Sequence, residues 1–349
     1  MGDTRIVVTD KLAFDTAIER LMQQCEIYAV VKKSPSFMFD RLSNTKELIL
    51  DYDTTLLPPV RYLIPNKDTL MRVQLSPELA IISEVAKVDQ SILLGIHPDD
   101  MYAIKLLDAV FTTSLVDTNY FTRRSATTII GVDNLHPWRY SFAASMGTVI
   151  PPPIFDLWLS DLGERYIIEV ASKKGNNLLD KYFKVDEPSE AQVNQRNKLR
   201  HELLQKYELS LEISPQEIPS ILERAWSHPM WAELGRKCFS CGSCTMVCPT
   251  CICFDVRDGM ELNMKISDRD RYWDSCMFQA FSLVASGENF RPTGTDRLRH
   301  RLYRKGKYML ERWGELGCVG CGRCIHACLV DIASPVSAYN QLAQERNGI

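Results

Sequence analysis

Apolar positions recur along the first half of the chain with two different periods. Over Lys11–Gln24 they recur at helical spacing, which predicts a helix with Leu12, Phe14, Ile18 and Leu21 on its inner side. Short β-rich runs follow at Ile27–Val31, Val60–Ile64, Ala80–Ser83, Ile92–Ile96, Thr128–Val132 and Tyr166–Val170. A helical pattern over Met101–Phe111 lies among them. Strands interleaved with helices predict a mixed α/β domain built as a layered sheet. Next comes a charged helix from about Pro188 to Tyr207. Ser214-Pro215-Gln216-Glu217 then reads as a capping box with proline at the first helical position, opening a helix that runs to about Ser227. His228-Pro229-Met230-Trp231 marks the expected border, with an α/β domain over 1–226 and a second domain over 227–349.

Three loops of the first domain stand out. They are Ile96-His97-Pro98-Asp99-Asp100, Ser141-Phe142-Ala143-Ala144-Ser145-Met146-Gly147, and Leu159-Ser160-Asp161-Leu162-Gly163-Glu164. Ordinary β/α connection and turn chemistry accounts for all three. His97 with Asp99 and Asp100 is also a candidate for binding a metal or a substrate, but nothing nearby in the sequence completes such a site.

Composition narrows the function classes. Lys and Arg number 41 against 44 Asp and Glu, a net charge of −3, so no bulk affinity for nucleic acid is expected. The start Met1-Gly2-Asp3-Thr4-Arg5 has no apolar segment of signal-peptide type. No uninterrupted apolar run approaches the roughly 18 residues that a membrane helix needs. The expectation is a cytoplasmic protein with no membrane partner and no nucleic-acid partner.

Cysteine changes the picture. The chain has 12, and all but Cys25 fall between Cys238 and Cys328. Cys25 reads as a buried packing residue. The rest include two copies of one spacing, Cys238-x2-Cys241-x2-Cys244-x3-Cys248-Pro249 and Cys318-x2-Cys321-x2-Cys324-x3-Cys328. A cubane iron–sulfur cluster needs soft anionic ligands, which thiolates supply. A tight loop with a cysteine at every third position holds three corners of the cube. The fourth cysteine in such runs reaches across to the other cluster. The spacing therefore predicts two [4Fe-4S] clusters, one held by Cys238, Cys241, Cys244 and Cys328, the other by Cys318, Cys321, Cys324 and Cys248. Gly242, Gly320 and Gly322 suit the sharp backbone of these loops. Leu329 replaces the proline that follows the first copy, and that position is not a ligand. Zinc ribbons also use C-x-x-C pairs, so a zinc-stabilised interaction module is the alternative from another class, but the tight triplet is unusual for zinc.

The second domain is expected to be mostly helical and ferredoxin-like, with an insert at 254–317. Cys251, Cys253 and Cys276 belong to neither copy. Three readings of them compete: ligands of a third cluster, thiol neighbours of the first, or packing residues. The run Arg297-Leu298-Arg299-His300-Arg301-Leu302-Tyr303-Arg304-Lys305-Gly306-Lys307 is a solvated helix face, compensation for the anionic clusters, or a docking face for an acidic partner. No nucleophile–base set, phosphate loop or dinucleotide fingerprint supplies substrate chemistry. Clusters with four thiolates have no open position for substrate, so the residues point to an electron relay without a catalytic centre of its own.

The string Cys238-Phe-Ser-Cys241-Gly-Ser-Cys244-Thr-Met-Val-Cys248-Pro-Thr-Cys251-Ile-Cys253, with Trp273-Asp274-Ser275-Cys276, Gly287-Glu288-Asn289-Phe290-Arg291 and Arg299-His300-Arg301, resembles a known family. It is that of the beta subunits of cytoplasmic nickel–iron sulfhydrogenases and the A subunits of anaerobic sulfite reductases, and the likeness is specific over about 228–332. It extends more weakly through Gly95–Asp100, Ser141–Gly147 and Asp161-Leu162-Gly163. Family members also show Cys251, Cys253 and Cys276. Asp99, Ser141 and Ala143 stand where relatives carry cysteine, so the resemblance implies an amino-terminal domain without a cluster, serving as a docking platform. It also implies a relay between a flavin subunit that oxidises NAD(P)H and a catalytic subunit. A hydrogenase is expected first and a sulfite- or sulfur-reducing enzyme second.

Overall fold

The most continuously apolar runs of the first half become the middle of a sheet. The computed structural model describes residues 5–74, 80–82, 88–113, 115–262 and 264–345. The strands of its first half are β1 (Arg5–Asp10), β2 (Glu26–Lys33), β3 (Ser36–Arg41), β4 (Lys67–Gln74), β5 (Ala80–Ile82), β6 (Ser91–Ile96), β7 (Thr127–Val132), β8 (Leu157–Asp161) and β9 (Arg165–Val170). Seven of them form one sheet in the order β1-β9-β8-β7-β6-β2-β3. The central pairs β2–β6, β6–β7 and β7–β8 are parallel, and the flanking pairs are antiparallel. Every position of β7 is buried, as in a parallel strand covered on both faces.

The helix Lys11–Met22 starts at Asp10, whose carboxylate accepts from the Ala13 N–H at 2.8 Å. It buries Phe14, Ala17, Ile18 and Leu21. Leu12, expected on that face, is 78% exposed, because it falls outside the three- and four-residue spacing that links the others. Val60–Ile64 is not a strand. Pro59–Tyr62 forms a 3₁₀ turn, where proline fixes the backbone and Val60 and Leu63 fill the core. A short apolar run looks the same in a buried turn as in a strand. Of the run Ala80–Ser83, Ala80–Ile82 is strand and Ser83 lies outside the described residues, as do Met1–Thr4. The loop at Leu159–Glu164 is half strand, since β8 runs to Asp161 before the turn into β9. The capping box expected at Ser214 is present, on the turn that leads into Ile218–Arg224, and Ser189 forms a second one at the start of the helix Glu190–Leu203.

The part after residue 227 is not the mostly helical unit expected. Its insert opens with a hairpin, β10 (Phe254–Met260) and β11 (Ile266–Trp273), and β11 pairs with β4 in a four-stranded sheet ordered β10-β11-β4-β5. β10 is largely exposed and both hairpin strands are rich in charge, so apolar alternation does not reveal them. Cross-strand ion pairs take its place, Arg269 with Asp258 at 2.7 Å and Arg72 with Asp268 at 2.8 Å. Arg271 and Arg123 meet at the buried Asp68, which also accepts from Asn119 at 2.9 Å. Beyond the hairpin, the helix Gly294–Tyr303 passes through one wide π turn, Arg304–Tyr308, into Met309–Trp313. No helix of the described residues is long and apolar enough to cross a membrane.

Contacts cross residue 227 in the core itself. Arg323, inside the second cysteine run, is buried and forms a two-pronged pair with Asp100, both bonds at 2.7 Å. Its Nε donates to the Thr55 carbonyl at 2.9 Å. The Gly320 carbonyl accepts from Phe142 N at 2.8 Å and from Ser141 Oγ at 3.1 Å. A Cβ on Gly322 would sit 2.4 Å from the Tyr140 carbonyl oxygen, so only glycine allows this approach. Val319 and Cys321 thereby join the same apolar core as the large sheet. Truncating Asp100 leaves a buried guanidinium unpaired, which costs about 3–5 kcal/mol. We expect Asp100→Ala to lower the unfolding free energy obtained from denaturant titration by that amount, and Arg323→Met in the same chain to recover much of it.

Candidate metal centre

The two cysteine runs fold as copies of each other. In the first, Ser240 (φ 53°) and Gly242 (φ 77°) are left-handed; in the second, Gly320 (φ 73°) and Gly322 (φ 79°) hold the same places. Each loop then enters a single helical turn, Ser243–Met246 or Arg323–His326. Backbone bonds repeat as well: Thr245 N to Gly242 O matches Ile325 N to Gly322 O, both at 2.9 Å. Left-handed residues at these points curl the chain so that N–H groups face the sulfurs. Ser240 N lies 3.4 Å from Cys238 Sγ, and Ile332 N lies 3.4 Å from Cys328 Sγ. Ser240 adopts this conformation without being glycine, a strained position held by the loop around it.

Cys238, Cys241, Cys244 and Cys328 line one cavity, although Cys328 comes from the other run. The remaining wall is apolar and includes Met277, Leu298, Ile332 and Ala333. Burial pushes the Cys244 thiol up to about 11, so a free thiol there stays protonated at neutral pH. Cys241 is exposed and lies at the mouth, with Phe239 (68% exposed) and Leu329 (76%) beside it. The thiols stand around a space instead of meeting at a point. Among the described residues, no three Cys, His, Asp or Glu side chains converge on a single ion. A four-thiol cavity with an apolar wall suits a cubane better than one tetrahedral ion.

Cys318, Cys321, Cys324 and Cys248 lie deeper. Burial raises the thiols of Cys318, Cys321 and Cys324, and Cys248 is near enough to raise each of them further. Cys318 and Val319 also line a surface cleft with Tyr102, Leu106 and Leu316.

The three remaining cysteines of the region do not gather into one group. The Cys251 thiol bonds to Cys248, which holds Cys248 down and pushes Cys251 up. Cys253 and Cys276 form a second thiol pair, with Cys253 held down and Cys276 pushed up. All three are buried.

The basic run is only partly a solvated face. Arg297, Arg301 and Lys305 are 6%, 2% and 3% exposed and share one stripe of the helix at four-residue intervals. Burial works against the charge of Arg301 and of Lys305. The neighbouring thiols, Cys244 and Cys324 for Arg301, Cys248 and Cys251 for Lys305, more than offset it and raise both groups. The basic composition of this run was visible in the sequence; the four-residue spacing was the signal for its buried stripe.

The first-domain loops also come together. Ser141 bonds to Gly320, Ala143 would touch a Cβ on Gly320 at 2.8 Å, and Asp99 lies in the electrostatic reach of Cys321. Burial, with the neighbouring Asp100 charge, pushes Asp99 up to about 7. His97 is buried, which with the Arg323 charge lowers its pKa, and it stacks on Tyr52 at 3.9 Å.

Comparison with known proteins agrees with this geometry. Residues 237–332 match a family model described as a 4Fe-4S dicluster domain. The chain is 32% identical to the sulfhydrogenase 2 subunit beta of Pyrococcus furiosus over 316 residues, which covers 90% of this chain and 92% of that one. The dicluster domain indicates two [4Fe-4S] clusters, and they are the cofactors of an electron-transfer protein. With both observations in hand, this chain belongs to the family of sulfhydrogenase beta subunits, iron–sulfur proteins of the oxidoreductase class.

Proposed function

We propose that this chain is the electron-relay subunit of a cytoplasmic multi-subunit oxidoreductase. Electrons pass between a flavin subunit that oxidises NAD(P)H and a catalytic subunit, most naturally a nickel–iron hydrogenase. The cavity that Cys238, Cys241 and Cys244 share with Cys328 carries this reading, because a two-cluster protein draws its fourth ligand from the other run. One cluster then takes these four thiolates. The other takes Cys318, Cys321, Cys324 and Cys248. Two openings support a relay: the apolar rim of Phe239 and Leu329 beside Cys241, and the cleft lined by Cys318. Relay service in a sulfite- or sulfur-reducing enzyme uses the same residues and differs only in the catalytic partner.

Two measurements test this. Anaerobically purified protein should carry about eight iron atoms per chain, as two cubanes require. About twelve would add a third cluster and bring Cys251, Cys253 and Cys276 into its ligand set. Cys244→Ser and Cys328→Ser should alter one electron-paramagnetic-resonance signal, and Cys321→Ser and Cys248→Ser the other. If each run's four cysteines alter a single signal, cross-ligation is wrong. The chains that purify with it identify the enzyme: a nickel subunit supports the hydrogenase, and a sirohaem subunit the sulfite reductase.

A further inference from the structure

A buried positive charge is costly unless a negative group meets it. Arg297, Arg301 and Lys305 are all buried, and among the described residues none is ion-paired to a carboxylate. Their hydrogen bonds go to neutral groups: Arg297 Nη1 donates to the Arg291 and Pro292 carbonyls, both at 2.9 Å, and the other bonds reach toward the cysteine runs. Arg297 Nη2 donates to Ser240 Oγ at 2.9 Å, between Cys238 and Cys241. Arg301 Nη1 donates to the Ala333 carbonyl at 3.2 Å, on the wall of the first cavity. Lys305 Nζ donates to Thr250 Oγ1 at 2.6 Å, and that hydroxyl lies 3.3 Å from Cys248 Sγ. The Nε groups of Arg297 and Arg301 are buried and have no hydrogen-bond partner. Orphaned buried donors of this kind call for an acceptor.

The backbone supports the same placement. At the π turn the Met309 N–H bonds to the Arg304 carbonyl, which frees the Lys305 carbonyl to accept from Gly317 N at 2.8 Å. Thr250 Oγ1 donates to the Gly317 carbonyl at 2.6 Å. Lys305 thus clamps the end of the first cysteine run to the start of the second, with its ammonium between them.

We infer that Arg301 and Lys305 set the reduction potentials of the two clusters, Arg301 acting on both and Lys305 chiefly on the one held by Cys318, Cys321, Cys324 and Cys248. The inference rests on the proposed ligand sets. Arg301 bonds to Ala333, a member of the apolar cluster that holds Cys244 of one set and Cys324 of the other, and its charge reaches both cysteines. Reduction adds one electron from the partner subunit and one unit of negative charge, with no bond made or broken in the protein. A fixed cation favours the more negative state, so it raises the potential, and its removal lowers it. Arg323 is buried in the same region, but Asp100 neutralises it, so it contributes much less to this field.

The test is a dithionite titration of the full-length, anaerobically purified protein, followed by electron paramagnetic resonance, with iron quantified in every sample. Lys305→Met should lower the midpoint of one signal by at least tenfold in the reduction equilibrium, which is about 59 mV for one electron. Arg301→Gln should lower both. Lys305→Arg and Arg301→Lys should restore wild-type values. Arg312→Gln, an exposed charge on the same helical run, should change neither. Midpoints that stay in place with iron retained overturn the inference. Should the neutral variants lose iron, charge-retaining variants that keep it support the inference, and charge-retaining variants that lose it too overturn it. Wild-type protein with well under about eight iron atoms per chain overturns the ligand assignment, and the inference with it.

Discussion

Negative charge held in an apolar interior has to be met by positive charge, and the second half of this protein is arranged around that requirement. The cysteines that line the interior are mostly buried, and the walls of the first cavity carry almost no polar side chains. One helix delivers three cations to this region along a single stripe. Without anionic clusters the stripe would be a severe cost, and with them it becomes part of their support.

The same constraint explains how the two halves of the chain meet. Arg323 sits among the cysteines of the second run, yet its charge is answered from the other half by Asp100. That pair, the Thr55 contacts, and the Gly320 and Gly322 approaches to 140–143 seat the second loop on the large sheet. Asp99, Ser141 and Ala143 lie at this seat as packing and contact positions. The hairpin β10–β11 adds a second attachment by joining β4. The clusters' loops are therefore held from both halves, a rigid setting suited to electron transfer with little rearrangement.

Much of this was legible in the residues. The paired cysteine spacing carried the cofactor and the copy symmetry of the loops. The capping box at Ser214 marked a real helical start. Elements whose pattern is not apolar were not legible. The hairpin is stitched by charged pairs, Val60–Ile64 packs as a turn, and Leu12 misses its stripe by position alone. The basic run was visible as composition, but the cations that turn inward were not separated from those that face water.

The sequence by itself determined the chemistry of the ligands, because thiolates at fixed spacing on a tightly turning backbone permit few other uses. It also determined the local shape of each loop, through residues that tolerate left-handed backbone. Tertiary structure decided what surrounds those ligands. Which cations are buried, which of them are neutralised by carboxylates, and which cysteines pair as thiols depend on contacts between residues tens to hundreds of positions apart. Electrostatic fields depend on distance and burial in space, and neither is written in the order of residues along the chain.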